Sequence, residues 1–310
     1  MKTLVLDPIH QDAIEYGNDK LDLVLWNEVK EEDFLDAEAV VVRIYQMDKK
    51  LIDKMKSLKI IAKHGVGVDN IDIDYAWENS IIVTNTPTAN MESVAEFVLS
   101  LALNCYRKIS ESSYEIKGGL NQIAPDHLTG YELNGKTVGL IGLGKIGKSV
   151  GNKFKNAFNT KVCVYDPFAS EKDCVDAGFY KMEFLEDLLR ISDIVSISVP
   201  LTPYTENMLT LKELKLMKPS SILVNTSRGK IVNEDDLYEV LSEGYIFGAA
   251  IDAFAVEPVK KDHKLLSCPN FVATPHNGAN TVDALKRMGT EAIDEIVRCK
   301  NESENLSPVR

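Results

Sequence analysis

Over residues 1–96 short apolar runs alternate with amphipathic stretches. Strand-type runs fall at 3–6, 21–26, 39–42, 59–62 and 81–83, and helical patterns at 8–16, 49–58 and 71–79. Strands separated by helices predict a parallel sheet covered on both faces. The strongest helical pattern covers 91–109, where Val94, Ala95, Val98, Leu99, Ala102 and Leu103 recur at three- and four-residue spacing. A helix this apolar is buried on several sides, as expected of one joining two domains. From 110 to 135 the periodicity fails and polar residues, Gly and Pro collect. That stretch predicts an irregular connection, an arm able to reach a partner subunit.

A second alternation begins at Lys136, with strand signals at 137–141, 161–165, 194–199, 222–225, 247–251 and 271–273. Helical patterns lie at 145–158, 183–190, 210–217 and 234–244. A last helix over 280–299 is long enough to return to the first domain, and the polar tail 300–310 is expected to fray. The expected division is therefore 1–96 plus 281–310 for one domain and 97–280 for the other.

The second alternation opens on a glycine turn. An apolar strand meets Gly142-Leu143-Gly144-Lys145-Ile146-Gly147, and a helical pattern follows. A dinucleotide pyrophosphate needs this design: Gly142 for the tight turn, Gly144 for close approach of backbone to phosphate, Gly147 for close helix–strand packing. The helix N-terminus adds N–H groups and a partial positive charge. Three glycines alone are weak evidence, but the next strand ends in Asp166, 24 residues after Gly142. A carboxylate there accepts hydrogen bonds from ribose hydroxyls and repels a 2′-phosphate. Pro167 and Phe168 follow rather than Arg, which favours NAD over NADP.

Composition narrows the class. At 310 residues, with 45% hydrophobic and 26% charged residues, the chain has core enough for two globular domains. A net charge of −12 argues against a nucleic-acid partner and against an anionic membrane. Five scattered cysteines without C-x-x-C pairing predict a reducing compartment and no metal centre. The amino terminus reads as a strand rather than a signal peptide, and no apolar run approaches the roughly 18 residues of a membrane span. A cytoplasmic protein is the expectation.

Ligands of such sheets sit at the carboxyl ends of the strands. Three strand ends carry chemistry: Asn225-Thr226-Ser227-Arg228-Gly229, then Asp252 with Glu257-Pro258 beyond it, then Thr274-Pro275-His276. Arg grips a carboxylate as a planar two-toothed clamp, which Lys cannot do. His carries a proton near neutrality, and a carboxylate beside it fixes its orientation. Arg228, Glu257 and His276 together are what hydride chemistry on a 2-oxo or 2-hydroxy acid requires.

With these motifs the chain resembles the D-isomer-specific 2-hydroxyacid dehydrogenases over nearly its whole length. The resemblance rests on the glycine turn with Tyr165-Asp166-Pro167, on the Arg, Glu and His motifs above, and on His64-Gly65-Val66-Gly67-Val68-Asp69-Asn70 and Asn85-Thr86-Pro87. It implies an α/β fold of two doubly wound parallel-sheet domains, a Rossmann NAD-binding domain and a flavodoxin-like substrate domain built from both chain ends. It implies NAD as cofactor and a homodimer packed through the cofactor domains. By the resemblance, His276 is the proton donor and acceptor, Glu257 its partner, and Arg228 the group that holds substrate. Gly65, Val66 and Gly67 supply N–H donors to the substrate carboxylate, with His64 beside them. Gly142, Gly144, Lys145, Ile146, Gly147, Asp166 and Pro167 hold the dinucleotide. Val199, Pro200, Thr205, Thr226, Ser227, Asp252, Gly278 and Ala279 line the nicotinamide side.

The chain departs from the family at Asn277, Ala255 and Thr88, where Ile, Glu and Gly are common. Arg43 stands where the phosphoglycerate dehydrogenase branch holds a phosphate, and Ile44-Tyr45 follow it where that branch is polar. 3-Phosphoglycerate, hydroxypyruvate, glyoxylate and a small apolar 2-oxo acid all stay open as substrates. The rival reading is an NAD(H)-sensing binding protein of the same fold, resembling corepressors.

Overall fold

The computed structural model describes residues 1–309. By its internal packing the chain divides into Met1–Met91 with the segment from Ala279 onward, and Glu92–Gly278.

In the first unit the strands are β1 (Lys2–Val5), β2 (Asp22–Leu25), β3 (Ala39–Val42), β4 (Ile60–Lys63) and β5 (Ile82–Thr84). All pairings are parallel and the order is β2-β1-β3-β4-β5, the flavodoxin-like order. Successive side chains of a strand point to opposite faces. Leu4, Val40 and Ile61 enter one core while their neighbours Val5, Val41 and Ile60 enter the other. Burial on both faces is why these strands read as unbroken apolar runs. Helices α1 (Gln11–Asn18), α2 (Lys49–Lys54) and α3 (Ile73–Glu78) connect them. Asp48 and Asp72 cap the latter two by accepting the N–H of Leu51 and Tyr75.

The C-terminal helix (Val282–Lys300) belongs to this unit, burying Ala292, Ile293 and Ile296 in the second core. A Cβ at Gly289 would stand 2.5 Å from that of Ala13, so the two helices touch where glycine permits it. As far as Val309 the tail is held rather than frayed; Arg310 lies outside the described residues. Thr84 and Pro308 form an antiparallel bridge, and Val309 N–H donates to Val83 O at 2.7 Å. The buried Glu295 accepts the Leu306 N–H at 3.1 Å and Asn305 Nδ2 at 2.8 Å. Backbone pairing with the edge strand, invisible to hydropathy, secures a polar segment.

In the second unit the strands are β6 (Thr137–Ile141), β7 (Lys161–Tyr165), β8 (Tyr180–Lys181), β9 (Ile194–Ile197), β10 (Ile222–Asn225), β11 (Gly248–Ile251) and β12 (Phe271–Ala273). The parallel sheet runs β12-β11-β10-β9-β6-β7-β8, the dinucleotide-binding order extended by one edge strand. Helices are α4 (Met91–Arg107), α5 (Ile109–Lys117), α6 (Lys145–Phe158), α7 (Glu171–Asp176), α8 (Leu185–Ile191), α9 (Leu211–Leu214) and α10 (Glu234–Ser242).

Three of these strands and α-helices were not expected. The edge strand β8 has two exposed residues and no apolar run to announce it. Helix α7 is short, although Ser170 and Asp173 form a capping box that marks its start. Helix α5 occupies the stretch expected to be irregular; it has no buried residue, so no apolar stripe reveals it. Lys108, at a left-handed φ of 48°, separates it from α4. Among the described residues no helix is long and apolar enough to cross a membrane.

Candidate active site

The glycine turn follows β6. Gly142 has φ +99°, and a Cβ there would lie 2.6 Å from Ser198 O. A Cβ at Gly147 would meet Gly142 O at 2.3 Å, whereas one at Gly144 would meet nothing within 4 Å. Two glycines are thus demanded by the protein itself, and the third leaves open space beside the backbone where α6 begins. Asp166, at the end of β7, accepts the Leu143 N–H at 2.8 Å and the Phe168 N–H at 2.9 Å. One carboxylate therefore joins the glycine turn to the second strand. This geometry fits a dinucleotide: open backbone at a helix start, and an acidic group where the ribose hydroxyls would stand.

Further along the sheet, Asn225 is buried at the end of β10 and braces the next turn. Its Oδ1 accepts the Ser227 N–H at 3.0 Å and the Ser227 hydroxyl at 2.9 Å, and its Nδ2 donates to Arg228 O at 2.8 Å. Arg228 Nη1 donates to Ser227 O at 2.7 Å. A Cβ at Gly229 would lie 2.1 Å from Phe254 C and O, so this turn presses directly on the loop that carries Glu257.

Asp252, 1% exposed at the end of β11, organises the following turn. Its Oδ1 accepts the Thr274 hydroxyl at 2.6 Å and the Asn277 N–H at 2.7 Å, and its Oδ2 accepts the Gly278 N–H at 2.9 Å. The Asp252 carbonyl accepts the His276 N–H at 2.9 Å. These bonds hold His276 at φ +52°, a left-handed conformation that costs a non-glycine residue about 1–2 kcal/mol. The imidazole is aimed by this turn. Its Nδ1 lies 3.1 Å and 3.0 Å from the two Glu257 oxygens, and Glu257 Oε1 also accepts the Phe254 N–H at 3.0 Å. The side chains of His276 and Glu257 are 47% and 38% exposed, so solvent reaches the pair. A carboxylate on Nδ1 fixes the tautomer that leaves Nε2 for a reacting group.

Residues 99–278 match the profile of the D-isomer specific 2-hydroxyacid dehydrogenase NAD binding domain. The chain belongs to this family. It is 39% identical over 301 residues to D-3-phosphoglycerate dehydrogenase of Methanocaldococcus jannaschii, covering 96% of this chain and 57% of that one. It is 38% identical over 304 residues to hydroxypyruvate reductase of Thermotoga maritima, covering 95% and 96%. The solved structure of the TT0316 protein from Thermus thermophilus superposes with a TM-score of 0.90 at 31% identity, covering 100% of both chains. The chain thus spans little more than half of the first of these relatives and nearly all of the second.

In the first unit, Asp7 accepts the N–H groups of Arg43, Ile44 and Tyr45 at 2.6, 3.0 and 3.0 Å. Lys63 Nζ donates to Arg43 O at 2.6 Å and to the Asn70 side chain. Arg43 thus stands on a braced turn. In the glycine loop Gly65 has φ +137°, and its N–H is already bonded to Thr86 Oγ1 at 3.0 Å. The Gly65 N–H is thus engaged within its own unit. Nearer the nicotinamide motifs, Thr205 Oγ1 donates to Pro200 O at 2.7 Å and accepts the Thr202 N–H at 2.8 Å, folding the turn after Val199.

His64 is a correction. It is 2% exposed, with Nε2 3.2 Å from Leu285 O of the C-terminal helix. The ring is buried inside its unit, with Nδ1 left without a hydrogen-bond partner. Burial, followed by the charge of Arg43, lowers its pKa to about 4. Above the ordinary value of 6.5 the folded and unfolded states are both neutral; below it the unfolded chain takes a proton that the folded one refuses until about pH 4. The group therefore withdraws roughly 3 kcal/mol of stability as pH falls through that window. Denaturant melts at stepped pH should show His64→Gln with a shallower stability loss between pH 6.5 and 4; an unchanged slope would contradict this account.

The braces Asp7, Asn225 and Thr274 were not assigned roles from sequence. Each ends or follows a strand, which is the signal that could have drawn notice to them.

Proposed function

We propose that the chain interconverts a small 2-oxo acid and its D-2-hydroxy acid with NAD. The observation that carries this reading is the solvent-accessible His276–Glu257 pair, held in the same unit as an open glycine turn. When bound, the nicotinamide would supply hydride chemistry at substrate C2. His276 Nε2 gives its proton to the C2 oxygen, so that the carbonyl becomes a hydroxyl and the pair of electrons is balanced by one proton. Glu257 holds the ring in place through its contacts at Nδ1. Arg228 grips the substrate carboxylate and its 2-oxygen. In the oxidative direction His276 takes the proton back.

Gly142, Gly144, Lys145, Ile146 and Gly147 would hold the pyrophosphate, with Asp166 and Pro167 at the ribose. Val199, Pro200, Thr205, Thr226, Ser227, Gly278 and Ala279 would line the nicotinamide side. Asp252 supports that side from beneath, since both its oxygens are committed to the turn. Asp166→Ala should lower the NAD-to-NADP ratio of kcat/KM by about tenfold, the worth of one charge-assisted hydrogen bond. An unchanged ratio would remove Asp166 from cofactor choice.

Arg43, Val66 and Gly67 are proposed to bind substrate. A steady-state panel of hydroxypyruvate, its phosphate ester, glyoxylate, pyruvate and 2-oxoisocaproate, followed by NADH absorbance, tests the activity and its range. Preference for the ester would assign Arg43 to a phosphate. No turnover on any member would refute the activity. A cytoplasmic homodimer is supported by five free cysteines and by exposed Ile109, Tyr114, Ile116 and Ile123 on the α5 arm; light scattering of the protein in solution reads the subunit count.

A further inference from the structure

Glu234 is the first residue of α10, yet it does not cap that helix. Asn233 does so, accepting the N–H groups of Asp235 and Asp236 at 3.1 Å each. The Glu234 carboxylate reaches sideways instead. One oxygen accepts the Ala255 N–H at 2.6 Å, and the other meets His263 Nε2 at 3.1 Å. Both side chains are largely buried, at 15% and 23% exposed. His263 stands edge-on to Phe254, ring centroids 5.5 Å apart.

Ala255 adjoins the residue that matters to Glu257. The Phe254 N–H bonds Glu257 Oε1, the Ala255 N–H bonds Glu234, and Gly229 closes against the carbonyl between them. Two consecutive N–H groups thus point to two carboxylates, one on the reacting side and one behind it. A peptide fixed by Glu234 cannot rotate its neighbour away from Glu257. Loosening it would free the carboxylate that orients His276, without touching the glycine turn or Asp166.

We propose that Glu234, held by His263, is a positioning residue for the proton-transfer pair, acting on His276 through the Phe254–Ala255 peptide and Glu257. The inference rests on the proposed role of His276 and Glu257 as that pair. Neither Glu234 nor His263 touches substrate or cofactor in this scheme.

The test is a double-mutant cycle on the full chain, read as kcat and as KM for NADH with the best 2-oxo acid of the panel. Glu234→Ala should lower kcat by about tenfold, the effect of one oriented hydrogen bond lost. KM for NADH should not move. Glu234→Gln, which keeps an oxygen for Ala255, should return kcat to within about twofold of wild type. On a Glu257→Ala background Glu234→Ala should cost less than about twofold more, because no carboxylate remains to be aimed. A further tenfold loss there, an unchanged kcat in the single variant, or failure of Glu234→Gln to rescue would overturn the proposal. Should Glu234→Ala not fold, His263→Phe, which keeps the ring packing and removes the nitrogen, takes its place in the cycle with the same expectations. His276→Ala run alongside separates the two claims. Loss of turnover there with an additive cycle refutes the positioning role alone, whereas retained turnover refutes the proton-transfer reading and this inference with it.

Discussion

His276→Ala is expected to lower kcat by about 10²–10⁴-fold, the usual worth of a positioned general acid–base group. The structure predicts that this loss will be one of chemistry rather than of folding. The turn that carries His276 is held by bonds from Asp252 to the backbone N–H groups of residues 276, 277 and 278 and to the Thr274 hydroxyl. None of these involves the imidazole. Alanine takes up the same left-handed backbone at a cost of about 1 kcal/mol or less beyond that of histidine, so the thermal midpoint should stay close to wild type. NADH affinity should also hold, because the glycine turn and Asp166 lie on other strands. A variant that turns over within about threefold of wild type would remove His276 from the reaction.

Arg228→Ala is expected to lower kcat/KM for the 2-oxo acid by about 10²–10³-fold, through loss of two charge-assisted hydrogen bonds. Arg228→Lys should recover only part, since a point charge cannot match both oxygens of a carboxylate. The loop's shape depends on Asn225, which bonds the Arg228 carbonyl, and on Gly229 against Phe254. Both contacts are to backbone and survive the substitution. NADH binding measured by fluorescence should therefore be unchanged. Near-normal kcat/KM, or an equal loss of NADH affinity, would show that Arg228 serves the fold or the cofactor instead.

Much of the fold was legible because each central strand is buried on both faces, and such strands appear as apolar runs that need no alignment to find. The runs at 39–42, 137–141, 161–165 and 222–225 match their strands residue for residue. What hydropathy could not register was structure made by the backbone alone. The tail is held by pairing with β5 and by Glu295, the two exposed residues of β8 by pairing with β7, and α5 presents no buried face. The site divides along the same line. Arg228, Glu257 and His276 were visible because strand ends are where ligands bind and those residue types carry the chemistry. The bracing roles were not, because a brace is defined by its partner; Asp252 was noticed at its strand end, but as part of the nicotinamide side. Asp252 acts through the turn it bonds, Asn225 through a carbonyl and a hydroxyl, and Glu234 through a peptide twenty-one residues on. His64 shows the converse. It lies inside a recognisable motif, yet burial turns its ring toward the C-terminal helix.

The most direct measurement is the fate of deuterium from NADH labelled at both hydrogens of nicotinamide C4. The protein is incubated with labelled cofactor and hydroxypyruvate, and the product is examined by mass spectrometry and chiral chromatography. The account predicts D-glycerate carrying one deuterium at C2, formed by the wild type and not by His276→Ala. Product without the label, or of the L configuration, would contradict it.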